Sequence, residues 1–326
     1  MEETKDYQHL RSPQKTESLP THQTVELKFS VPWGHIAAKV WGDPGGEPIL
    51  AVHGVEDNAA TFDTLIPLLL QLVGRPMYVV CVDLPGHGHS SPLAPGILYR
   101  FTDMPGCLHR VISQLGWYRF HYLGHSLGGL LGLHFVASYP NLVEKLIVID
   151  ALTFTMYPRH YHSNILRAYA EKLLELEKKV GAGTIQPSYT LDQALHKLAH
   201  SRGTKMTEAG IKALASRGLR QVEGHDNLYT FSRDNRLKFF VFPVVNIEEA
   251  VQVASEVKCQ LLIVTGKESL RTEKGSDNEA VLTALTKHCS YLKHYVVDGD
   301  HDVHLNFPER LAPLVATFLC KPRSSL

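Results

Sequence analysis

Short apolar runs recur along this chain with helical stretches between them, and this alternation constrains the fold more than any other feature. The runs at residues 49–52, 78–82 and 146–149 are each long enough for one buried strand. Stretches with helical periodicity separate them, as at 60–72 and 127–138. Continuous apolar strands that alternate with helices are typical of a parallel sheet covered on both faces. The sequence therefore predicts an α/β fold with a mostly parallel sheet.

The alternation is interrupted in the middle of the chain. Helical periodicity continues through residues 152–249 without a clear buried strand, and strand patterns return only at 260–264 and 292–297. We therefore expect a helical lid insertion over 152–249, which would cover the carboxyl edge of the sheet, where open α/β sheets bind ligands. The α/β core is predicted over 24–151 and 250–326.

The composition of the chain changes near residue 24, where the polar N-terminal segment gives way to the predicted core. Residues 1–23 are polar and can bury little surface, so they are predicted to form a disordered tail. From residue 25 onward, two alternating patterns at 25–29 and 36–41 flank the turn Pro32-Trp33-Gly34, which predicts a β-hairpin.

Charge and cysteine content exclude several classes of protein. The chain carries 33 basic and 33 acidic side chains, which argues against nucleic-acid partners and against a polybasic membrane-surface protein. Its five cysteines include no CxxC pair, so neither a disulfide framework nor a thiolate zinc site is expected. No apolar run reaches the ~18–20 residues that span a bilayer, and no integral membrane segment or secretory signal is expected. We expect a small-molecule substrate and a cytoplasmic, reducing location.

One motif carries chemistry. Gly124-His125-Ser126-Leu127-Gly128 matches G-x-S-x-G, follows an apolar strand pattern and opens a predicted helix. In that context the motif places the serine hydroxyl on a tight turn above the sheet. The sequence therefore predicts Ser126 as a nucleophile, and a serine at neutral pH needs a base to activate it.

Other strand ends supply the groups that such a nucleophile requires. His301 lies in the loop after the last apolar strand and is the predicted base, with His304 as its rival. The N–H of Leu127 follows the nucleophile, and the N–H of Val55 follows the strand at 49–52. These two N–H groups are the predicted oxyanion hole.

The chain resembles the α/β-hydrolase superfamily over about residues 25–151 and 260–319. It is most similar to the serine hydrolase-like protein family, through residues 31–39, His53-Gly54 with Asp57-Asn58, residues 124–129, and Phe231-Ser232-Arg233-Asp234. The resemblance implies an α/β-hydrolase fold with an α-helical lid and a serine hydrolase activity, without identifying the substrate.

The acid of the expected triad departs from the superfamily pattern. The superfamily usually places an aspartate after the next-to-last strand, where this chain has Ser269, with Glu268 one residue earlier. Some members instead use the end of the strand after the nucleophile helix, which is Asp150 here. An acid is needed to orient the histidine. We predict Asp150, because its short side chain on a strand end has a fixed geometry, and keep Glu268 as the alternative acid.

These residues predict a serine hydrolase that cleaves an ester, thioester or amide of a small apolar substrate through an acyl-enzyme on Ser126. The alternative is a catalytically weak or inactive α/β-hydrolase-fold binding protein. Epoxide hydrolases and dehalogenases are disfavoured, because they need an aspartate at the elbow. Aromatic side chains in the insertion suggest an apolar lining: Phe154, Tyr157, Tyr161 and Phe231.

Two further patterns concern metal binding and cellular location. The pairs His87-x-His89 and His301-x-x-His304 lack a third ligand cluster, so neither a metal nor another cofactor is expected. The C-terminal tripeptide Ser324-Ser325-Leu326 resembles the peroxisomal S-K-L signal without its basic middle residue. A peroxisomal location is therefore the alternative to a cytoplasmic one.

Overall fold

A computed structural model describes the chain over residues 23–151, 162–181, 186–243, 245–269 and 276–322. The predicted tail, except for its last residue, lies outside these ranges, as do Phe154, Tyr157, Tyr161 and the C-terminal tripeptide. The strands are β1 Thr24–Val31, β2 Gly34–Gly42, β3 Glu47–Val52, β4 Met77–Val82, β5 Phe120–His125, β6 Val143–Ile149, β7 Leu219–Gln221, β8 Tyr229–Phe231, β9 Gln260–Gly266 and β10 Tyr291–Val297. The helices are α1 Leu65–Val73, α2 Met104–Leu115, α3 Leu127–Ser138, α4 His162–Gly181, α5 Leu191–His200, α6 Glu208–Gly218, α7 Ile247–Ser255, α8 Ser276–His288, α9 Val303–Asn306 and α10 Ala312–Cys320.

Eight strands form one central sheet in the order β1-β2-β4-β3-β5-β6-β9-β10. The hairpin β1–β2 is antiparallel and joins β4 in antiparallel register, whereas the remaining neighbours pair in parallel. This confirms the predicted α/β fold. All parallel strands therefore end at one edge of the sheet, which we call the carboxyl edge, and begin at the opposite, amino edge.

Helices cover both faces of this sheet, because successive side chains of each buried strand point to opposite sides. In β3, Leu50 and Val52 pack into the apolar layer beneath α2, α3, α7 and α8. Their neighbours Ile49 and Ala51 pack into the layer beneath α1 and α10. The two layers explain why these strands read as continuous apolar runs rather than as alternating ones.

The segment between β6 and α7, described at residues 162–181 and 186–243, is called the insert below. It contains α4, α5, α6 and a small antiparallel pair, β7–β8, whose strands are only three residues long and had no sequence pattern that predicted them. Helix α6 contacts the 3-10 turn Ala59–Phe62 after β3 and the short helix α9 after β10. The insert therefore touches two segments that follow strands at the carboxyl edge.

Two buried arginines attach the insert to the core. Arg217 of α6 donates from Nη2 to Asp83 Oδ2 over 2.6 Å and also contacts the Glu26 carboxylate. Arg202, between α5 and α6, donates to Asp302 Oδ1 over 2.6 Å. Because each arginine side chain is at most 16% exposed, removing its carboxylate partner would leave a buried charge. None of the described helices is both long and apolar enough to cross a bilayer.

Candidate active site

Ser126 occupies a sharp turn between β5 and α3. Its backbone has φ 52° and ψ −118°, a conformation that side-chain-bearing residues rarely adopt. The Ser126 N–H donates to the Ile149 carbonyl over 3.0 Å, and its carbonyl accepts from the Gly129 and Leu130 N–H groups. These bonds hold a strained turn that costs of order 1–3 kcal/mol. The nucleophile predicted from the motif thus lies at the carboxyl edge.

Two glycines make this turn possible. A Cβ atom on Gly128 would lie 2.0 Å from the carbonyl oxygen of Val52, and one on Gly124 would lie 2.3 Å from the carbonyl oxygen of Gly128. Both obstacles are backbone atoms that cannot move aside. The motif therefore needs glycine at both positions, because helix α3 passes directly against the ends of β3 and β5.

His301 and Asp150 are in contact. His301 lies between β10 and α9, and its Nδ1 donates to Asp150 Oδ2. Asp150 follows β6 with φ 50° and is fully buried. Its carboxylate also accepts from Ser269 Oγ over 2.6 Å and from the Gly266 N–H over 3.1 Å. The carboxylate is therefore held in one orientation toward the imidazole, as an orienting acid requires.

The alternative acid is placed elsewhere. The Glu268 side chain is exposed, and its carboxylate makes no hydrogen bond or ion pair within the described part of the chain. Ser269, which stands at the usual superfamily position of the acid, instead donates its hydroxyl to Asp150. The structure brings His301 to Asp150 and not to Glu268.

His304 does not face the nucleophile. It is fully buried in α9, and its Nε2 is hydrogen-bonded to Thr61 Oγ1 over 2.8 Å. Burial lowers the pKa of His304 to about 4, so the ring is neutral at pH 7. Two rings pack against that of His304: His125 lies 3.9 Å away between ring centroids, and Phe62 lies 5.8 Å away.

His125, the variable residue before the nucleophile, positions the predicted base. Its Nε2 donates to the His301 carbonyl oxygen over 2.9 Å. Burial, together with the nearby His304 and His301, holds the pKa of His125 well below its usual value. The neutral His125 ring therefore holds the backbone of His301 in place through this hydrogen bond. The motif flags position 125 only as x, so sequence reasoning missed this role.

The N–H groups of Val55 and Leu127 are both available. Neither donates to any group within the described part of the chain. Val55 follows Gly54, where a Cβ atom would lie only 3.1 Å from Ser126 Cβ, so this loop passes directly beside the nucleophile. Two unpaired N–H donors on either side of a serine are the arrangement that an oxyanion hole requires.

Two buried histidines fix the loop that carries Val55. His53 donates from Nδ1 to the Gly54 carbonyl and accepts at Nε2 from the Leu84 N–H over 3.0 Å. His87 accepts at Nε2 from the Glu56 N–H over 3.2 Å, where Glu56 has φ 60°. Burial lowers the pKa of both rings, which keeps each Nε2 an acceptor. The sequence analysis considered His87 only as part of a possible metal-binding pair and missed this role.

Arg202 of the insert joins the two loops that flank Ser126. Its guanidinium donates to Asp302, next to His301, and to Asp57 Oδ2 over 3.2 Å, two residues after Val55. Burial opposes ionisation of Asp302, but Arg202 outweighs burial and holds the pKa of that carboxyl well below its usual range. Arg202 carried no sequence signal, because its partners lie far away in the chain.

One expected contact is not formed. The Ser126 hydroxyl makes no hydrogen bond with any described residue. Catalytic hydrogen bonds are often long until substrate binds, so the placement of Ser126 and His301 on facing loops is compatible with a nucleophile and its base.

The described residues contain one group with the spacing of metal ligands, and it lies at the amino edge. Ligand atoms of Glu47, His121 and Glu144 lie within 4.8 Å of one another. We call these residues the amino-edge cluster. Arg75 Nη2 lies 2.5 Å from Glu47 Oε2, and Arg119 Nε lies 2.8 Å from Glu144 Oε1. Protein cations thus already neutralise both carboxylates. Neither His87-x-His89 nor His301-x-x-His304 contributes to such a group in the described ranges.

Comparisons with known proteins identify the family of this chain. A family model for the alpha/beta hydrolase fold matches residues 47–308. A "Probable serine hydrolase" of Drosophila melanogaster is 32% identical over 90% of this chain and 87% of its own length. "Serine hydrolase-like protein 2" of Homo sapiens is 33% identical over 90% of this chain and 93% of its own length.

Solved structures show the same likeness. A hypothetical protein of Pseudomonas aeruginosa PAO1 matches with a TM-score of 0.78 and 27% identity, over 91% of this chain and 99% of its own. The thioesterase domain from the curacin biosynthetic pathway matches with a TM-score of 0.72 over 90% of this chain and 99% of its own. At 21% identity, that second likeness concerns the fold alone.

Proposed function

This chain belongs to the α/β-hydrolase fold family, and from that premise we propose that it is a serine hydrolase acting through an acyl-enzyme on Ser126. One observation carries the proposal: three groups lie at the carboxyl edge of the sheet. They are Ser126 on its sharp turn, the His301–Asp150 pair, and the unpaired N–H groups of Val55 and Leu127. Relatives named serine hydrolase over most of this chain support it.

The first half of the proposed reaction forms the acyl-enzyme. Ser126 Oγ attacks the substrate carbonyl while His301 Nε2 takes the hydroxyl proton. Asp150 accepts from His301 Nδ1 and stabilises the imidazolium that results. The Val55 and Leu127 N–H groups bind the oxygen on which negative charge develops. The bond to the leaving group then breaks, and His301 returns the proton to the departing oxygen, sulfur or nitrogen.

The second half releases the acid. A water molecule gives a proton to His301 and attacks the acyl carbon, and collapse of the new tetrahedral intermediate restores the Ser126 hydroxyl. No other reactant is needed, because water supplies both the new carboxyl oxygen and the proton. We propose an ester, thioester or amide with a small apolar acyl group as the substrate class.

The insert supports a covering role in this scheme. Helix α6 lies against the Ala59–Phe62 turn, and Arg202 reaches both loops beside Ser126. We therefore propose that residues 152–249 act as a lid between the core segments 24–151 and 250–326. Lids of this kind often control substrate entry and product release.

The state of the cysteines supports a proposal for the location. All five lie within the described ranges and none forms a disulfide, which supports a reducing compartment. We propose a cytoplasmic protein. Peroxisomal import through Ser324-Ser325-Leu326 stays a prediction, because that tripeptide lies outside the described residues.

Covalent labelling tests the activity directly. A fluorophosphonate should modify the wild-type protein at Ser126, located by mass spectrometry of the labelled peptide. Ser126→Ala should abolish labelling, whereas Ser138→Ala, an exposed serine at the end of the same helix, should leave it unchanged. A chain-length series of nitrophenyl esters then measures the acyl preference. Failure of Ser126 to label, in a folded protein, would leave the binding-protein alternative.

A further inference from the structure

A cavity lies within the insert. It has a volume of about 910 Å³ and is formed by α4, α5, β8 and the 3-10 turn Asn235–Phe239. Neither Ser126 nor His301 lines it. Its volume falls in the range of cavities that hold small organic ligands. We call it the insert cavity.

The lining of the insert cavity is strongly basic. Its charged lysine, arginine and glutamate side chains are Lys172, Lys179, Lys197, Arg233, Lys238 and Glu175. The chain as a whole has equal numbers of acidic and basic residues, so this cavity concentrates positive charge that the rest of the surface balances. A local excess of one sign attracts ligands of the opposite sign.

Most of this charge is not neutralised by the protein itself. Lys172, Lys197 and Lys238 form no ion pair with a carboxylate in the described part of the chain. Lys179 pairs with Glu175 over 2.7 Å, but that pair is exposed and therefore weak. The ammonium of Lys197 lies over the Tyr189 ring, 5.0 Å from its centroid, so those of Lys172 and Lys238 are left to bind an anion from solution.

The wall of the insert cavity contacts the loops of the candidate active site at two places. Arg233 in its wall lies 3.0 Å from the Glu56 carboxylate, and Glu56 follows Val55 of the predicted oxyanion hole. Ser201 in its wall precedes Arg202, which donates to Asp302 beside His301. The insert cavity therefore lies next to the candidate active site.

We propose that the insert cavity binds a phosphate-bearing leaving group of the substrate, an inference that rests on the proposed serine hydrolase function. Ammonium and guanidinium groups are the side chains that bind phosphate most strongly. The substrate then has an apolar acyl part at Ser126 and an anionic part in the insert. Two sources share this chemistry: the phosphorylated thiol of an acyl thioester, and the phosphorylated glycerol of a lipid ester.

Matched substrate pairs test the proposal and separate the two sources. Octanoyl coenzyme A and octanoyl-N-acetylcysteamine share the thioester, but only the first carries phosphates. Lauroyl-lysophosphatidate and monolauroylglycerol form the corresponding ester pair. In at least one pair, we expect the phosphate-bearing member to have about a tenfold lower KM, with a preference that shrinks as salt screens the charges. The pair that shows the preference identifies the source.

Variants locate the preference in the insert. Lys172→Gln and Lys238→Gln should each reduce the ratio of kcat/KM between the phosphate-bearing and phosphate-free members by about threefold, because each exposed charge supplies only part of the preference. Lys178→Gln is the matched control, because Lys178 lies on the same helix, is exposed and does not line the cavity. Its ratio should equal that of the wild type.

Direct binding keeps this inference separate from the proposed function. Calorimetry should show that coenzyme A or glycerol 3-phosphate binds the Ser126→Ala protein with a Kd below about 1 mM, and more weakly after Lys172→Gln. A ratio near one in both substrate pairs, or binding that the lysine variants do not weaken, overturns the inference. Protein that binds the phosphate ligand but neither hydrolyses a phosphate-free substrate nor labels at Ser126 contradicts the proposed function instead.

Discussion

The two edges of the central sheet each hold a histidine against a carboxylate, yet only one edge has the surroundings of a catalytic site. At the carboxyl edge His301 contacts Asp150, and at the amino edge His121 Nε2 lies 3.2 Å from Glu47 Oε1. The His301 side chain is 19% exposed, whereas that of His121 is 1% exposed. A substrate can reach the first ring and not the second.

The backbone explains the difference. At the carboxyl edge, parallel strands lead into helix N-termini, which present unpaired N–H groups and positive dipole ends. Leu127 begins α3 in this way, beside Ser126. At the amino edge the strands begin, and the carboxylates of Glu47 and Glu144 are matched by arginines instead. A histidine–carboxylate pair therefore becomes chemically useful only beside a nucleophile and N–H donors.

The largest effect expected at the carboxyl edge is that of Ser126→Ala. Loss of the nucleophile should lower kcat for a nitrophenyl ester by about 10⁴–10⁶-fold, as removal of a triad member does. The measurement is steady-state hydrolysis with circular dichroism as the check on folding. Activity within tenfold of the wild type would sink the assignment of Ser126.

Exchanging one carboxylate at each edge tests the comparison itself. Asp150→Asn should lower kcat by about 10³–10⁴-fold, because the amide no longer fixes the His301 tautomer or stabilises its imidazolium. Glu47→Gln makes the same chemical change beside His121, and we expect kcat within about threefold of the wild type, since no nucleophile faces that pair.

A third carboxylate completes that experiment. Glu268→Gln should also leave kcat within about threefold of the wild type, because its side chain is exposed and has no described partner. A large loss in Glu268→Gln with little effect of Asp150→Asn would transfer the orienting role to Glu268. Loss in neither variant would indicate a Ser–His dyad.

Substituting an arginine at each edge should change kcat less than the Asp150 substitution does, and only at the carboxyl edge. Arg202→Met leaves Asp57 and Asp302 buried without their cation, at a cost of about 3–5 kcal/mol in stability. Because those aspartates flank Val55 and His301, kcat should fall by about 10–100-fold while KM for a short ester changes little. Arg119→Met is the control for kcat, since Arg119 pairs with the buried side chain of Glu144 at the amino edge, so its loss should affect stability and leave kcat unchanged.

The split between kcat and KM decides whether Arg202 positions the catalytic loops. Equal activity per folded molecule in Arg202→Met and wild type would make it a purely structural residue. Arg202→Lys, which keeps the charge, should recover part of kcat.

The smallest expected effect is a pH-dependent change in the stability of the fold, caused by Glu47 at the amino edge. The contact with His121, opposed by burial and helped by Arg75, lowers the pKa of Glu47 from 4.5 to about 2. A carboxyl whose pKa is lower in the folded state stabilises the fold above pH 4.5 and loses that effect as pH falls toward 2. Glu47→Gln should therefore cost about 1 kcal/mol at pH 7 and nothing near pH 2.

Urea unfolding of both proteins at several pH values measures this difference. A stability difference that stays constant between pH 7 and pH 3 would show that Glu47 acts by packing rather than by charge.

Much of the core was predictable because its signals are local. Parallel strands that are buried on both faces are apolar throughout, so the apolar runs at residues 49–52 and 78–82 predict β3 and β4. Helix α3 begins at Leu127 and ends at Ser138, as its periodicity indicates. By contrast, the three-residue strands β7 and β8 are too short to show an alternating pattern.

Parts of the candidate site were not predictable, because they depend on contacts between residues far apart in the chain. Arg202 lies 100 residues from Asp302 and 145 from Asp57, and no local pattern encodes such a pairing. The choice between Asp150 and Glu268 depended on which carboxylate faces His301, which is a matter of three-dimensional geometry. The buried rings of His53 and His87 look in the sequence like any two of the chain's 19 histidines.

The buried attachment of the insert by Arg202 and Arg217 bears on how this protein family can diverge. An insert transplanted from a relative would bring its own side chains against Asp57, Asp83 and Asp302, three carboxylates that belong to the core. Unless arginines arrive at the same places, each vacated site leaves buried negative charge, at several kcal/mol. Recombination is therefore expected to succeed when the donor insert conserves both anchors, while the lysines that line the insert cavity stay free to vary.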